Sequence, residues 1–141
     1  MITTTRPGAS RSASSVLNNC ILLDTSVWID YLRKRESKHK DKVDHLIGTG
    51  QVATCGMVYL ELMRGISVPA EHVAQILAEL PDLPMGRPVY LLAGEISGRL
   101  QRKGIQVTIP DVLIAATAIE AGVKLFTYDK DFENIPGLKL Y

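Results

Sequence analysis

Short apolar runs alternate along this chain with longer stretches in which apolar residues return every three or four positions. Runs of strand length stand at Cys20 to Leu23, Gln51 to Cys55 and Lys124 to Thr127, with a weaker fourth at Leu138 to Tyr141. Between them the helical spacing predicts Val27 to Leu32, Lys38 to Ile47 with its stripe Val43, Leu46 and Ile47, and Met57 to Ile66. Ala70 to Leu80 repeats Val73, Ile76, Leu77 and Leu80 on one face. Two further helices precede the third run: Arg87 to Lys103, closed by Gly104, and Pro110 to Glu120, opened by proline and ended near Gly122. Strands alternating with helices predict an α/β fold, a three-layer sandwich in which helices flank a mostly parallel central sheet.

Size and composition narrow this without changing it. At 141 residues the chain is expected to form one domain over residues 19–141, large enough to bury a core. Residues 1–18 are rich in Ser and Thr and lack the apolar segment of a secretory signal, so a disordered tail is expected there. The most apolar window, Val89 to Ile96, is interrupted by Gly94 and Glu95 and is too short to span a bilayer. A cytoplasmic protein without membrane contact is the expectation. A net charge of +1 means that any affinity for nucleic acid must come from local clusters. Cys20 and Cys55 have neither zinc-ligand spacing nor a disulfide framework and are expected as buried, inert thiols. His39, His45 and His72 have polar neighbours and are expected at the surface.

Acids are what the pattern singles out. In parallel sheets, sites form beyond the carboxyl ends of the strands. Asp24 follows the first strand and Asp129 the third, so both are expected at one edge of the sheet. Asp111 opens a helix after Pro110, and Glu61 interrupts the apolar stretch "GMVYLELM", where an unpaired carboxylate is costly. Each has a plainer explanation alone. Asp24 is a good N-cap, Asp111 complements a helix dipole, Asp129 and Asp131 suit a turn, and Glu61 could face solvent. Together they would repel unless a hard divalent cation joins them, and an all-oxygen site without His or Cys suits Mg²⁺ or Mn²⁺. Such an ion can bridge carboxylates to a phosphodiester and activate water, which points to a metal-dependent nuclease. Glycine-rich nucleotide loops, a serine-hydrolase elbow and the second aspartate of a haloacid-dehalogenase-type phosphatase are all missing.

Four motifs carry a resemblance. "LLDTSVWIDYLR" at Leu22 to Arg33, "LELMRG" at Leu60 to Gly65, "IPDVLIAATAIEAG" at Ile109 to Gly122 and "LFTYDKDFENI" at Leu125 to Ile135 occur in order over Ile21 to Leu140. In these the chain resembles the PIN-domain ribonucleases, specifically the VapC-like toxins of bacterial toxin–antitoxin pairs. The resemblance places a catalytic acidic quartet on Asp24, Glu61, Asp111 and Asp129, a site-ordering hydroxyl on Ser26, a supporting threonine on Thr127, and a further acid of the metal shell on Asp131. It implies Mg²⁺- or Mn²⁺-dependent cleavage of single-stranded or loop RNA, a homodimer, and inhibition by a cognate antitoxin protein. The long N-terminal tail departs from the pattern, since these toxins usually begin close to the "LLD" strand.

On this basis Asp24, Asp111 and Asp129 are expected to hold the metal, with Glu61 as a further ligand or orienting a water. The basic run "RKRESKHKDK", Arg33 to Lys42, is either a solvated face or a rim that tracks phosphates, with Arg33, Lys34 and Arg35 as its expected RNA contacts. Two rival functions fit the same residues: an RNA-binding or regulatory module that keeps the fold without hydrolysis, and a metal phosphohydrolase acting on small substrates.

Overall fold

A computed structural model describes residues 17, 19–33, 38–65 and 69–141. Its described elements run β1 (Ile21–Leu23), α1 (Thr25–Leu32), α2 (Lys38–Gly48), β2 (Val52–Ala53), α3 (Gly56–Gly65), α4 (Ala70–Ala78), α5 (Arg87–Arg102), α6 (Ile109–Ala121) and β3 (Lys124–Phe126), followed by a 3₁₀ turn at Lys130–Asn134. The strands form one sheet in the order β2-β1-β3, and both pairings are parallel. Ile21 stands opposite Val52 on one side and Lys124 on the other.

β1 is apolar throughout because it is central and covered on both faces, with Leu22 and Leu23 fully buried. The chain leaves β1 for β2 on one side and returns to β3 on the other, so strand order reverses at β1. That reversal makes the carboxyl end of β1 the crevice of the sheet. α6 packs on β3, α5 packs on α6, and α3 bridges α1 and α6. The interior of α6, Val112 to Ala118, is buried without a polar stripe, as a helix enclosed on all sides should be.

The α/β sandwich with its parallel sheet is the expected fold. Several expected boundaries move. The fourth strand at Leu138 to Tyr141 reduces to a single bridge between Leu140 and Leu125, because Pro136 and Gly137 bend the chain before a ladder can form. The second strand is shorter than Gln51 to Cys55: beyond Ala53 the pairing passes to Thr54, whose amide and carbonyl bond Pro81 and Leu83. α1 starts two residues early, at Thr25, and α4 stops at Ala78 rather than Leu80. Ile66, the expected end of α3, is outside the described residues, as are residues 1–16 and 18 of the expected tail. Leu17 is half-buried against the core.

α6 ends where expected, on Gly122. Its φ of 69° lies in the left-handed region, and the amides of Gly122 and Val123 close back onto Ile119 and Ala118. This turn delivers the chain into β3 and so sets where Asp129 emerges. Cys20 and Cys55 are buried, and burial pushes both thiols up. His39, His45 and His72 are exposed. Among the described residues, no helix is long and apolar enough to cross a membrane.

Candidate active site

Asp24 is the first residue past β1 and is 4% exposed. Its amide donates to the Phe126 carbonyl at 2.9 Å, which locks the end of β1 to the end of β3. Backbone geometry makes Asp24 the N-cap of α1, yet its side chain caps nothing. Instead Oδ2 accepts from Ser26 Oγ at 2.8 Å and from Thr127 Oγ1 at 2.7 Å. The carboxylate is thereby held across the crevice by one hydroxyl from α1 and one from the β3 side.

The same network extends along the fourth motif. The Asp129 amide donates to Thr127 Oγ1 at 3.0 Å, and the Tyr128 amide to Ser26 Oγ at 3.1 Å. Asp129 then caps the 3₁₀ turn: its Oδ1 accepts from the Asp131 amide at 2.9 Å. Asp131 thus enters through its backbone, while its side chain is exposed. Glu61, on α3, is half-buried, and its Oε1 accepts from Thr25 Oγ1 at 2.8 Å. Thr25 thereby becomes a further contact of the site.

Asp111 sits in the first turn of α6, where the Thr108 side chain caps the helix by accepting from the Asp111 amide at 3.3 Å. Burial pushes its carboxyl up from 3.8 to about 6; the Thr108 hydrogen bond opposes this, and the charges of Asp24, Asp129 and Glu61 add to the rise. Those three influences tie Asp111 electrostatically to the other acids. Of the expected quartet, Asp24 and the Asp129 backbone are joined through Thr127, Glu61 reaches the start of α1 through Thr25, and Asp111 is near enough to feel the charges of the other three. The arrangement stops short of closure, since among the described residues no three Asp, Glu, His or Cys side chains already form a group that could hold a metal ion.

The basic rim is only partly visible. Arg33 is exposed at the C-cap of α1, whereas Lys34 and Arg35 are outside the described residues. α2 is fixed against α1 by the Tyr31 hydroxyl, which donates to Asp44 at 2.6 Å, and Asp44 also takes Lys40 at 3.2 Å. A feature that sequence reasoning missed is an aromatic group built around Tyr128, the neighbour of Asp129 in sequence: Tyr128, Phe126 and Tyr141 with His39 and Lys42. Its signal in the sequence was the aromatic residue in "TYD", between two site residues.

Comparison with known proteins agrees with this architecture. Residues 21–138 match the PIN domain family. Ribonuclease VapC1 of Methanocaldococcus jannaschii is 33% identical over 126 residues, covering 86% of this chain and 86% of that protein. Ribonuclease VapC11 of Mycobacterium tuberculosis is 31% identical over 121 residues, covering 82% and 90%. The crystal structure of VapBC2 from Rickettsia felis, bound to a DNA fragment from their promoter, superposes with a TM-score of 0.73 at 25% identity over 86% of this chain and 97% of that one. DNA-bound VapBC from Salmonella typhimurium has the same fold, with a TM-score of 0.73 at 23% identity. Matched from β1 to beyond the last motif, and more than 30% identical to relatives along most of its length, the chain belongs to the PIN-domain family and, within it, to the VapC-like group.

Proposed function

We propose that this protein is a divalent-metal-dependent endoribonuclease that acts as the toxin of a toxin–antitoxin pair. The observation that carries the proposal is the hydroxyl network at the end of β1, in which Ser26 and Thr127 hold the Asp24 carboxylate and Thr127 also takes the Asp129 amide, with Asp111 near enough to feel the charges of Asp24, Asp129 and Glu61. Carboxylates so placed repel, and a hard cation is what relieves them.

The residues fit Mg²⁺ or Mn²⁺ by their chemistry, because every donor on offer is a carboxylate or hydroxyl oxygen. Mg²⁺ keeps several of its waters and is typically held by one or two carboxylates plus substrate phosphate rather than in a closed protein cage. Asp24, Asp111 and Asp129 would hold the ion, and Glu61 would serve as a further ligand or orient a water. When bound, the ion supplies positive charge at the scissile phosphate and makes nearby water more acidic. Ser26 and Thr127 fix the direction of Asp24, and Thr25 fixes that of Glu61. Asp131 supports Asp129 through its amide, with a side chain close enough in sequence to join an outer shell.

Loss of an outer partner of this kind costs about 10–100-fold in metal affinity or activity. Thr127→Val is therefore expected to lower RNA cleavage by roughly tenfold while leaving the melting temperature near that of the parent. Cleavage at the parental rate at limiting metal would remove Thr127 from this role.

The VapC relatives bear the name ribonuclease, and the solved VapBC structures contain toxin with antitoxin, which supports RNA as substrate and an antitoxin as partner. A homodimer is proposed through the exposed apolar face of α5 and the start of α6, where Tyr90, Leu91 and Ile109 are 57%, 67% and 64% exposed. Arg33, Lys34 and Arg35 are proposed as phosphate contacts.

The test is incubation of the full chain with structured RNAs and with a panel of nucleotides, with and without Mg²⁺ or Mn²⁺. Endonucleolytic cuts that need the metal are expected. RNA binding without cleavage in either metal would leave a regulatory module instead, and hydrolysis of nucleotides alone would leave a small-substrate phosphohydrolase.

A further inference from the structure

We propose that Tyr128 is a stacking platform for an unpaired nucleobase next to the scissile phosphate, so that the site selects single-stranded RNA. The inference rests on the ribonuclease reading of the acids and adds to it the part of the substrate that this chain grips.

Tyr128 lies between Thr127, which holds Asp24, and Asp129, so it is one residue from the acidic site on either side. Its amide is tied to Ser26 Oγ, the same hydroxyl that donates to Asp24. The backbone that carries the ring is therefore fixed to the group that fixes the carboxylate. The ring itself is held by two contacts. Phe126 meets it edge to face, with centroids 5.5 Å apart at 89°, and His39 approaches at 4.9 Å with the planes tilted by 59°. Neither contact is a parallel stack, so neither uses the ring in the way a base does. Despite both, Tyr128 is 38% exposed.

Packing does not account for that exposure. A core aromatic would be enclosed, and a stray surface tyrosine would not be pinned through its own amide to the site network. Charge runs the right way too. Lys42 lies 5.6 Å from the Phe126 ring centroid and 5.0 Å from that of Tyr141, which continues the aromatic surface towards α2 with a cation on it. A rigid ring with one cation on the same aromatic group suits a base whose backbone is anionic. Stacking of this kind tolerates any base, because each has a π face, but in a duplex that face is already covered by neighbours. A platform beside the acids thus discriminates paired from unpaired strands without reading sequence.

The experiment uses the full chain carrying Asp24→Asn, so that RNA is bound but not consumed, and a short oligoribonucleotide with 2-aminopurine at one position, presented either unpaired or within a hairpin stem. With Tyr128 intact, binding of the unpaired form is expected to quench the fluorophore. Tyr128→Leu, which keeps bulk but loses the flat face, is expected to weaken that binding roughly tenfold and abolish the quench. Tyr128→Trp should restore both, and weak binding of the stem form should be the same in all three. Unchanged affinity in Tyr128→Leu, or an equal loss in Tyr128→Trp, overturns the platform. If Tyr128→Leu changes nothing while the parent still cuts unpaired RNA with Mg²⁺ or Mn²⁺, only this inference falls. If the parent neither binds nor cuts any RNA, the ribonuclease reading falls and takes this one with it.

Discussion

Asp24→Asn is expected to abolish RNA cleavage while leaving a folded protein that is no less stable than its parent. The two halves of that expectation have different causes. Asparagine matches aspartate in shape, and its carbonyl oxygen can accept from Ser26 Oγ and Thr127 Oγ1 as Oδ2 does now. The bond from the Asp24 amide to the Phe126 carbonyl is untouched, so the joint between β1 and β3 survives. A residue 4% exposed has also lost a negative charge in the neighbourhood of other acids, which removes repulsion. Activity should suffer for the same reason. With the oxygen turned to the two hydroxyls, the amide nitrogen and its hydrogens face the other way, and a donor is presented where a cation needs an acceptor. The loss should exceed the about 10–100-fold that removing an outer partner costs. The measurement is single-turnover cleavage at saturating Mg²⁺ or Mn²⁺, together with thermal melting with and without the ion. Parental cleavage by Asp24→Asn would overturn the assignment of the whole quartet. So would a metal-induced rise in melting temperature as large as the parent's.

Much of this site was legible before any coordinates, for reasons that can be traced residue by residue. Asp24 and Asp129 follow apolar runs, and in a parallel sheet every strand end points to one edge, so a local signal implied a shared location. Pro110 and Gly122 bracketed α6 because each has a conformational preference that acts without tertiary help. What stayed hidden depended on contacts across the fold. The Thr127 hydroxyl reaches Asp24 over 103 positions of sequence, and no periodicity reports that. The same contact explains why Asp24 caps only with its backbone: two hydroxyls outcompete the helix amides for its side chain. Thr25 was hidden in the same way, since its bond to Glu61 spans two helices. The expected strand at Leu138 to Tyr141 showed the opposite failure, in which suitable residues were present but Gly137, with φ of 82°, turns the chain just ahead of them and a single bridge at Leu140 is all that forms.

The second large effect expected is a pH-dependent stabilisation by Asp111→Asn, seen in metal-free protein and cancelled by metal. The carboxyl of Asp111 stands at about 6 in the fold against 3.8 in a free chain, because it is partly buried and faces Asp24, Asp129 and Glu61. Between those values the folded protein holds a proton that the unfolded chain has released, so stability falls as pH rises from about 4 to about 6 and stays low above that. The full shift corresponds to about 3 kcal/mol, and screening of a half-exposed carboxyl reduces this to about 1–2 kcal/mol. Asparagine imitates the protonated acid at every pH. Asp111→Asn should therefore melt roughly 3–8 °C above the parent at pH 8, and the gap should close as pH falls to about 4. Mg²⁺ or Mn²⁺ favours the ionised carboxylate and binds only the folded chain, so it should raise the parent's melting temperature at pH 8 far more than that of the variant. Thermal melting of both proteins from pH 4 to 8, with chelator and then with each ion, decides the matter. A gap that does not change with pH would show that the Asp111 carboxyl is not raised in the fold. A gap that closes at pH 4 but ignores both ions would leave the raised Asp111 carboxyl real and remove the metal from it.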